Sequence, residues 1–209
     1  MLTVSPTTSA GGKVFFTGCG STGRLSIQLN SIWRDAWQRL RARGLRNDPL
    51  ASMWENRAFS VMAGGDFALI KSVEGFEDFT QFGRRQIADL HVGPGDVVFA
   101  ITEGGETSFV IGTAWEGLEQ GAKVYFVYNN PDAVLCEHVQ RSREVIQESR
   151  IDKINLTTGP MAISGSTRMQ ATTIQLCVLL TVMEMVIRRL LADLEPEMGL
   201  HLPSEEVPN

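Results

Sequence analysis

Five short apolar runs alternate with stretches of helical periodicity, and this pattern constrains the fold of the 209-residue chain most. One run, Val97-Val98-Phe99-Ala100-Ile101, contains no polar residue. Continuous apolar strands of this kind are typical of parallel sheets that helices cover on both faces. The predicted strands are residues 13–17, 58–62, 96–101, 123–128 and 153–157.

The segments between these runs have the spacing of amphipathic helices. In the first, apolar residues recur at three- and four-residue intervals from Leu25 to Leu40. Pro131 favours a helix start directly after it, and Gly121 favours a helix end directly before it. The predicted helices are residues 22–43, 79–90, 107–120, 132–149 and 166–194. This alternation predicts an α/β fold, a doubly wound three-layer αβα sandwich with ligands bound at the carboxyl ends of the strands.

The strand and helix patterns extend from residue 13 to residue 194 without an internal repeat, so we expect one domain over this range. Residues 1–12 are rich in Ser, Thr and Gly, and residues 195–209 contain Pro, Gly and Glu. We expect both segments to be flexible tails.

Composition excludes several classes of function. The net charge is -5 and no basic stripe is present, which argues against a nucleic-acid partner. Three cysteines without CxxC spacing predict no disulfide framework and favour a reducing, cytoplasmic location. The most apolar stretch, residues 174–180, is much shorter than the ~20 residues of a membrane span, and we find no signal-peptide pattern.

The connection from the first strand to the first helix, Gly18-Cys19-Gly20-Ser21-Thr22-Gly23, is the strongest ligand-binding signal. Its glycines allow positive φ angles and a close approach of ligand to backbone. The helix that follows presents unpaired N–H groups and the positive end of its dipole, which favour an anion. Ser21 and Thr22 add hydroxyl donors, so we predict a phosphate site that needs no lysine.

Two other interpretations of this turn remain open. Its spacing matches the Gly-x-Gly-x-x-Gly pattern of dinucleotide-binding proteins. However, the acidic residue expected about 20 residues further on has no clear counterpart, because Asp66 lies far downstream. The turn is also compatible with a strand–helix connection that binds no ligand and is capped by a serine.

Carboxylates follow the second and third strands. Glu74, Glu77 and Asp78 follow the second, where one of them could act as a general base or Asp78 could cap the next helix. Glu103 and Glu106 follow the third, where they could bind sugar hydroxyls or simply favour the helix dipole.

Hydroxyl-bearing residues at two further helix starts extend the predicted site. Thr107 follows the third strand, and Ser166 and Thr167 follow the fifth, each as a phosphate donor or an ordinary cap. Arg168 could bind phosphate through a charge-assisted bond or form a surface ion pair.

We expect neither a metal nor a cofactor. The three histidines, His91, His138 and His201, lack the spacing of metal ligands. Cys19 is better explained as a residue small enough for the turn than as an activated thiolate, which needs positive neighbours.

In combination and order, these motifs resemble the SIS (sugar isomerase) domain, in the branch shared by N-acetylmuramic acid 6-phosphate etherases and glucokinase regulatory proteins. The resemblance covers residues 13–191 and rests on residues 18–25, 63–66, 74–78 and 165–169. It implies a five-stranded, flavodoxin-like parallel sheet, usually in a homodimer, that binds a sugar 6-phosphate. It places Ser21 and Thr22 on the phosphate. It places Glu77 at the carboxylate that contacts the sugar and acts as an acid/base in etherases.

Departures from the family pattern bear on the choice between binding and catalysis. The glutamate that donates a proton to the leaving lactate in etherases falls at Ile32, and regulatory proteins also lack it. A family serine falls at about Gly104, a basic residue at about Glu106, and a lysine at Gln170. We therefore expect a phosphosugar-binding regulatory domain, with a sugar kinase as one candidate partner. The alternative is an etherase, a lyase that uses Glu77 to release lactate. The predicted sugar-phosphate contacts are Gly20, Ser21, Thr22, Gly23, Glu77, Gly104, Thr107, Ser166 and Thr167.

Overall fold

Five parallel strands form one sheet in the order β2-β1-β3-β4-β5. The computed structural model describes residues 12–43, 49–71, 73, 75–163, 165–166 and 169–198. The strands are β1 (Val14–Gly18), β2 (Ala58–Met62), β3 (Val97–Ile101), β4 (Lys123–Tyr128) and β5 (Ile151–Asn155). The predicted α/β fold with a five-stranded, flavodoxin-like parallel sheet is confirmed.

Helices cover both faces of the sheet, as the three-layer prediction requires. They are α1 (Gly20–Arg43), α2 (Pro49–Glu55), α3 (Phe67–Ile70), α4 (Thr80–Ala88), α5 (Ser108–Glu119), α6 (Asp132–His138), α7 (Gln140–Gln147) and α8 (Ala171–Met198), with a 3-10 helix at Phe76–Asp78. Within the described ranges, none of these helices combines the length and apolar character that crossing a membrane requires.

Two apolar cores lie on opposite faces of the sheet because successive strand side chains alternate in direction. Phe15 and Phe126 are buried on the face that α4, α5 and α7 cover. Phe16, Phe99 and Tyr125 are buried on the face that α1, α2 and α8 cover. The rings of these last three stack across neighbouring strands, with centroids 5.6 and 5.1 Å apart.

Helix α1 packs on the sheet through the apolar stripe that its sequence predicts. The residues of this stripe are at most 2% exposed; they are Leu25, Leu29, Trp33 and Trp37. The Trp33 indole N–H donates to the backbone oxygen of Trp54 at 2.8 Å, which joins α2 to α1. This packing holds the amino end of α1 at the carboxyl end of β1.

Strand β5 begins two residues earlier than predicted, at Ile151. Ile151 is fully buried and pairs with Val124, whereas Asp152 is exposed and forms an ion pair with Lys123 at 2.9 Å. Because β5 lies at the edge of the sheet, a charged side chain can face solvent there. The charged Asp152 therefore lies within β5 and does not precede it.

The single helix predicted over residues 132–149 is wrong, since the chain forms α6 and α7 with a break at Val139. Val139 is extended, with φ -127° and ψ 103°. The Arg143 guanidinium donates to the backbone oxygens of Cys136 and Glu137 in the last turn of α6. These bonds satisfy carbonyls that a continuous helix would bond internally.

Helix α8 begins at Ala171, so the predicted start at Ser166 is wrong. The Gln170 amide donates to the backbone and hydroxyl oxygens of Thr158 at 3.0 and 2.7 Å, which holds the preceding segment as a loop beside β5. The helix continues to Met198, past its predicted end at residue 194. The rest of the predicted tails, residues 1–11 and 199–209, lies outside the described residues.

Candidate functional site

The strand order places the switch point of the sheet between β1 and β3. The chain leaves β1 through α1 on one face and leaves β3 through α5 on the opposite face. In sheets of this order, the connections after these two strands diverge and leave a ligand-binding crevice. Because neighbouring strands lie about 4.8 Å apart, we take residues 18–23 and 102–107 as its two walls.

The turn after β1 leaves three amides and one hydroxyl available to an anion. Helix α1 begins at Gly20, whose φ is 51° and beside which a Cβ atom would meet no atom within 4 Å. Among the described residues, no acceptor bonds the amides of Gly20, Ser21 and Thr22, and the Ser21 hydroxyl is also unbonded. These donors lie at the positive end of the helix dipole. Gly23 instead donates its amide to the Cys19 oxygen at 3.0 Å.

The Thr22 side chain closes the turn. The Cys19 amide donates to the Thr22 hydroxyl oxygen at 3.1 Å, and that hydroxyl donates to the Cys19 carbonyl at 2.8 Å. Thr22 is only 5% exposed. Its hydroxyl proton is therefore used inside the protein, whereas the Ser21 hydroxyl is not. The two hydroxyls that the sequence groups together thus have different surroundings.

Arg24 lies beside the same turn, although it is not among the contacts predicted from the sequence. Its guanidinium donates to the backbone oxygens of Gly20 at 3.3 Å and Ala68 at 3.5 Å. Within the described part of the chain, no carboxylate pairs with it. Its position four residues after Gly20, on the same side of α1, is the signal that could have identified it.

The connection after β2 carries Glu77. This connection begins with the Ala63 amide donating to the Gly18 oxygen at 3.1 Å, and exposed Glu77 follows in the 3-10 helix. Burial raises the pKa of the Cys19 thiol above its ordinary value, and the negative charge of Glu77 raises it further. A thiol with a raised pKa stays protonated at neutral pH, which agrees with the prediction that Cys19 only fills the turn.

The capping role considered for Asp78 is not present. The N-cap of α4 is Phe79, and among the described residues no side chain bonds the amides of that helix start. Glu74 lies outside the described residues.

The loop after β3 turns its carbonyls toward the protein and leaves its amides unbonded. Asn130 donates to the Gly104 oxygen at 3.1 Å, Ser142 to the Gly105 oxygen at 2.7 Å, and Arg141 to the Glu106 oxygen at 2.5 Å. Gly105 has φ 78°, which reverses the chain at this point. In the described part of the protein, the amides of residues 104–107 bond to no acceptor. A row of free amides at the start of a helix is a good anion site.

Thr107 is the N-cap of α5, but its side chain does not cap the helix. Its hydroxyl lies 2.9 Å from the buried hydroxyl of Thr102, and either can donate to the other. Gly104 and Thr107 are thus on the same wall of the crevice, as their sequence positions predict.

Two carboxylates lie on this same loop. Burial raises the pKa of Glu103 above its ordinary value, and the charge of Glu106 raises it further. Among the described residues, no group donates a hydrogen bond to the Glu103 carboxylate. The crevice therefore combines amide donors with an acidic wall, which suits a ligand that carries both phosphate and hydroxyl groups.

The loop after β5 is only partly described. Ser166 is partly exposed and lies in the segment before α8, with its amide donating to the Ile163 oxygen at 3.1 Å. Thr167 and Arg168, two further predicted donors, lie outside the described residues.

Ile32 packs against the core between α1 and the sheet, and is partly buried. An isoleucine there carries no proton to donate. In the described ranges, no three His, Cys, Asp or Glu side chains are grouped closely enough to hold a metal ion.

Comparisons with known proteins agree with these motifs. Residues 1–115 match the sequence profile of the glucokinase regulatory protein N-terminal SIS domain. The chain is 34% identical over 185 residues to an N-acetylmuramic acid 6-phosphate etherase of Deinococcus radiodurans, covering 88% of this chain and 52% of the relative. It is 32% identical over 169 residues to the etherase of an Exiguobacterium species, covering 81% of this chain and 49% of the relative.

The chain thus spans about half the length of the curated relatives that it matches. The profile match extends over more than half of this chain and includes both the turn after β1 and the loop after β3. On this match and the parallel sheet, the chain belongs to the SIS-domain family, in the branch of glucokinase regulatory proteins and N-acetylmuramic acid 6-phosphate etherases.

Proposed function

We propose that this chain binds a phosphorylated sugar between residues 18–23 and 102–107, and that it works as a binding or regulatory domain. The proposal rests on two sets of amides that are unbonded within the described residues. One set belongs to Gly20, Ser21 and Thr22, and the other belongs to residues 104–107 on the facing wall. A phosphate can accept hydrogen bonds from both walls at once. Bonds to a charged acceptor contribute about 1.5–3 kcal/mol each.

The donors in this proposal differ in kind. Ser21 contributes its hydroxyl and its amide, whereas Thr22 contributes its amide because its hydroxyl bonds Cys19. Arg24 adds a positive charge beside the turn. Gly104 and Thr107 contribute amides from the facing loop, and Glu77 contacts the sugar. Ser166 and Thr167 stay predicted contacts from the loop after β5.

A regulatory role is favoured over catalysis by Ile32, which is partly buried and packs against the core at the position where etherases are expected to carry their proton donor. The profile that matches this chain is named for a regulator of glucokinase. We therefore propose that phosphosugar occupancy controls the association of this chain with a sugar kinase.

The second candidate function is that of an etherase. The curated relatives carry this name, and Glu77 lies close enough to the turn for its charge to affect Cys19. In this alternative, Glu77 removes a proton from the sugar, and an acid such as Glu103 replaces the missing donor. Release of lactate from N-acetylmuramic acid 6-phosphate would establish it and defeat the purely regulatory role.

A thermal-shift panel of sugar phosphates tests the binding function. A ligand at 100 times its Kd stabilises the folded state by about 2.7 kcal/mol, which raises the Tm of a domain of this size by about 5–11 °C. The matched controls are the same sugars without phosphate, and NAD is included to test the dinucleotide interpretation. If no sugar phosphate shifts the Tm, or if NAD alone does, the proposal is wrong.

We also propose that the chain forms a homodimer, as its family resemblance implies. Six large apolar side chains between residues 67 and 82 are 39–84% exposed; they are Phe67, Leu69, Ile70, Phe76, Phe79 and Phe82. An apolar surface of this kind is typical of an interaction site. Light scattering should give twice the mass of one chain, and the monomer mass at micromolar concentration would contradict the proposal.

A further inference from the structure

A cavity beside the crevice, lined by both polar and apolar groups, is not explained by phosphate binding alone. Its volume is about 270 Å³, and it lies at the carboxyl ends of β3, β4 and β5, next to the start of α8. Its walls include Glu103, Asn129, Asn130, residues 158–161 and Gln170. Small-molecule sites begin at about 300 Å³, so the cavity is suited to a small polar group rather than to a large apolar ligand.

The cavity is continuous with the loop that carries the free amides. Glu103 lines the cavity and directly precedes Gly104, the first residue of the amide row. Asn130 also lines it and donates to the Gly104 oxygen at 3.1 Å. A ligand whose phosphate binds residues 104–107 would therefore have its remaining atoms beside Glu103.

Among the described residues, the hydrogen bonds around the cavity leave an acceptor that lines it, the Glu103 carboxylate, without a donor. The Asn129 amide donates to the Leu156 oxygen at 2.9 Å, and its own oxygen accepts from Gln175 at 2.6 Å. In the described part of the protein, the Glu103 carboxylate receives no hydrogen bond. A carboxylate is an acceptor, so a ligand that bonds Glu103 must supply donors.

We propose that this cavity binds the sugar part of the phosphosugar, with sugar hydroxyls donating to the Glu103 carboxylate. The inference rests on the proposed function, because the phosphate anchors the ligand at its entrance. Sugar hydroxyls are hydrogen-bond donors of the kind that the cavity lacks, and bonds to an ionised carboxylate are roughly twice as strong as neutral ones. On this proposal, inorganic phosphate bonds the amides and makes no bond to Glu103.

Burial disfavours the ionised form of this carboxylate in the unliganded protein. Because the pKa of Glu103 is raised in the folded state, folding favours its protonated form. The resulting loss of stability is absent below the ordinary pKa of the carboxyl group, grows as pH rises from that value to the raised one, and is constant above it. Glu103→Gln should therefore raise the Tm of the unliganded protein at pH 7 and leave it unchanged near pH 4.

Affinities for inorganic phosphate, glucose 6-phosphate and glucosamine 6-phosphate test the inference by calorimetric titration. We expect Glu103→Gln to bind inorganic phosphate at least as tightly as the unmutated protein, because a negative charge is removed, and to lower the ratio of sugar phosphate to phosphate affinity about 10-fold or more. Glu106→Gln is the matched control, because it removes the same charge from an exposed residue that does not line the cavity. In that variant, all three affinities should rise together.

Three outcomes decide the question. An unchanged ratio of sugar phosphate to phosphate affinity in Glu103→Gln overturns the cavity proposal and leaves the phosphate site intact. A selective loss for glucosamine 6-phosphate alone assigns Glu103 to an ammonium group and overturns the hydroxyl assignment. If the unmutated protein binds phosphate but no sugar phosphate, both the cavity proposal and the proposed function are wrong.

Discussion

Replacing Thr22 with Val removes a hydroxyl that bonds twice to Cys19, once as acceptor and once as donor. The Cys19 amide then has no partner in a position where Thr22 is 5% exposed, whereas the Cys19 oxygen still accepts from Gly23. A buried donor without a partner costs about 1–3 kcal/mol. We therefore expect the free energy of unfolding to fall by about 2 kcal/mol, or the Tm to fall by about 4–8 °C.

The same variant should weaken phosphate binding, because the turn positions the amides of Gly20 and Ser21. Thr22→Ser is the matched control: it keeps the hydroxyl and loses only one methyl group, worth about 0.8 kcal/mol. Urea denaturation and phosphate titration of both variants measure the two effects. If Thr22→Val retained full stability yet lost phosphate affinity, the hydroxyl would bind the ligand directly and the assignment to turn closure would be refuted.

Two further predictions concern residues on α1. Arg24→Gln should weaken the binding of sugar phosphates about 10-fold, since a charge-assisted bond is lost. The loss should shrink at high salt because exposed charges are screened, and an affinity equal to that of the unmutated protein would contradict the role given to Arg24. Ile32→Glu should lower the free energy of unfolding by about 1–3 kcal/mol, because it places a polar group against the apolar core. It should produce no lactate from N-acetylmuramic acid 6-phosphate, and turnover by this variant would show that position 32 reaches the substrate.

The fold could be predicted where local sequence and tertiary environment agree. The bounds predicted for residues 58–62 and 123–128 are those of β2 and β4, whose apolar residues are largely buried in the two cores. Gly121, with φ 86°, ends the α5 region as predicted. The predicted bounds are wrong where a residue distant in sequence determines the local structure. Thr158, for example, accepts a hydrogen bond from Gln170 and keeps it in the loop before α8.

The candidate site could be predicted in position but not in detail. The glycines and hydroxyls after β1 and β3 lie on the two walls of one crevice, as their place after neighbouring strands requires. The sequence could not separate Ser21 from Thr22, because only the folded turn shows which hydroxyl is already bonded. The sequence also did not indicate Arg24 as a contact, because the orientation of its guanidinium depends on the two backbone carbonyls that accept its hydrogen bonds.

By itself, the sequence determined the alternation of strands and helices and the glycine-rich turn after β1, because both follow from local periodicity and from the backbone freedom of glycine. Only the tertiary structure decided which amides are free and which carbonyls are bonded. The contacts at Asn130, Arg141 and Ser142 that turn the loop after β3 join residues 26 to 37 positions apart. Such contacts depend on how separate elements pack, and no local pattern encodes them.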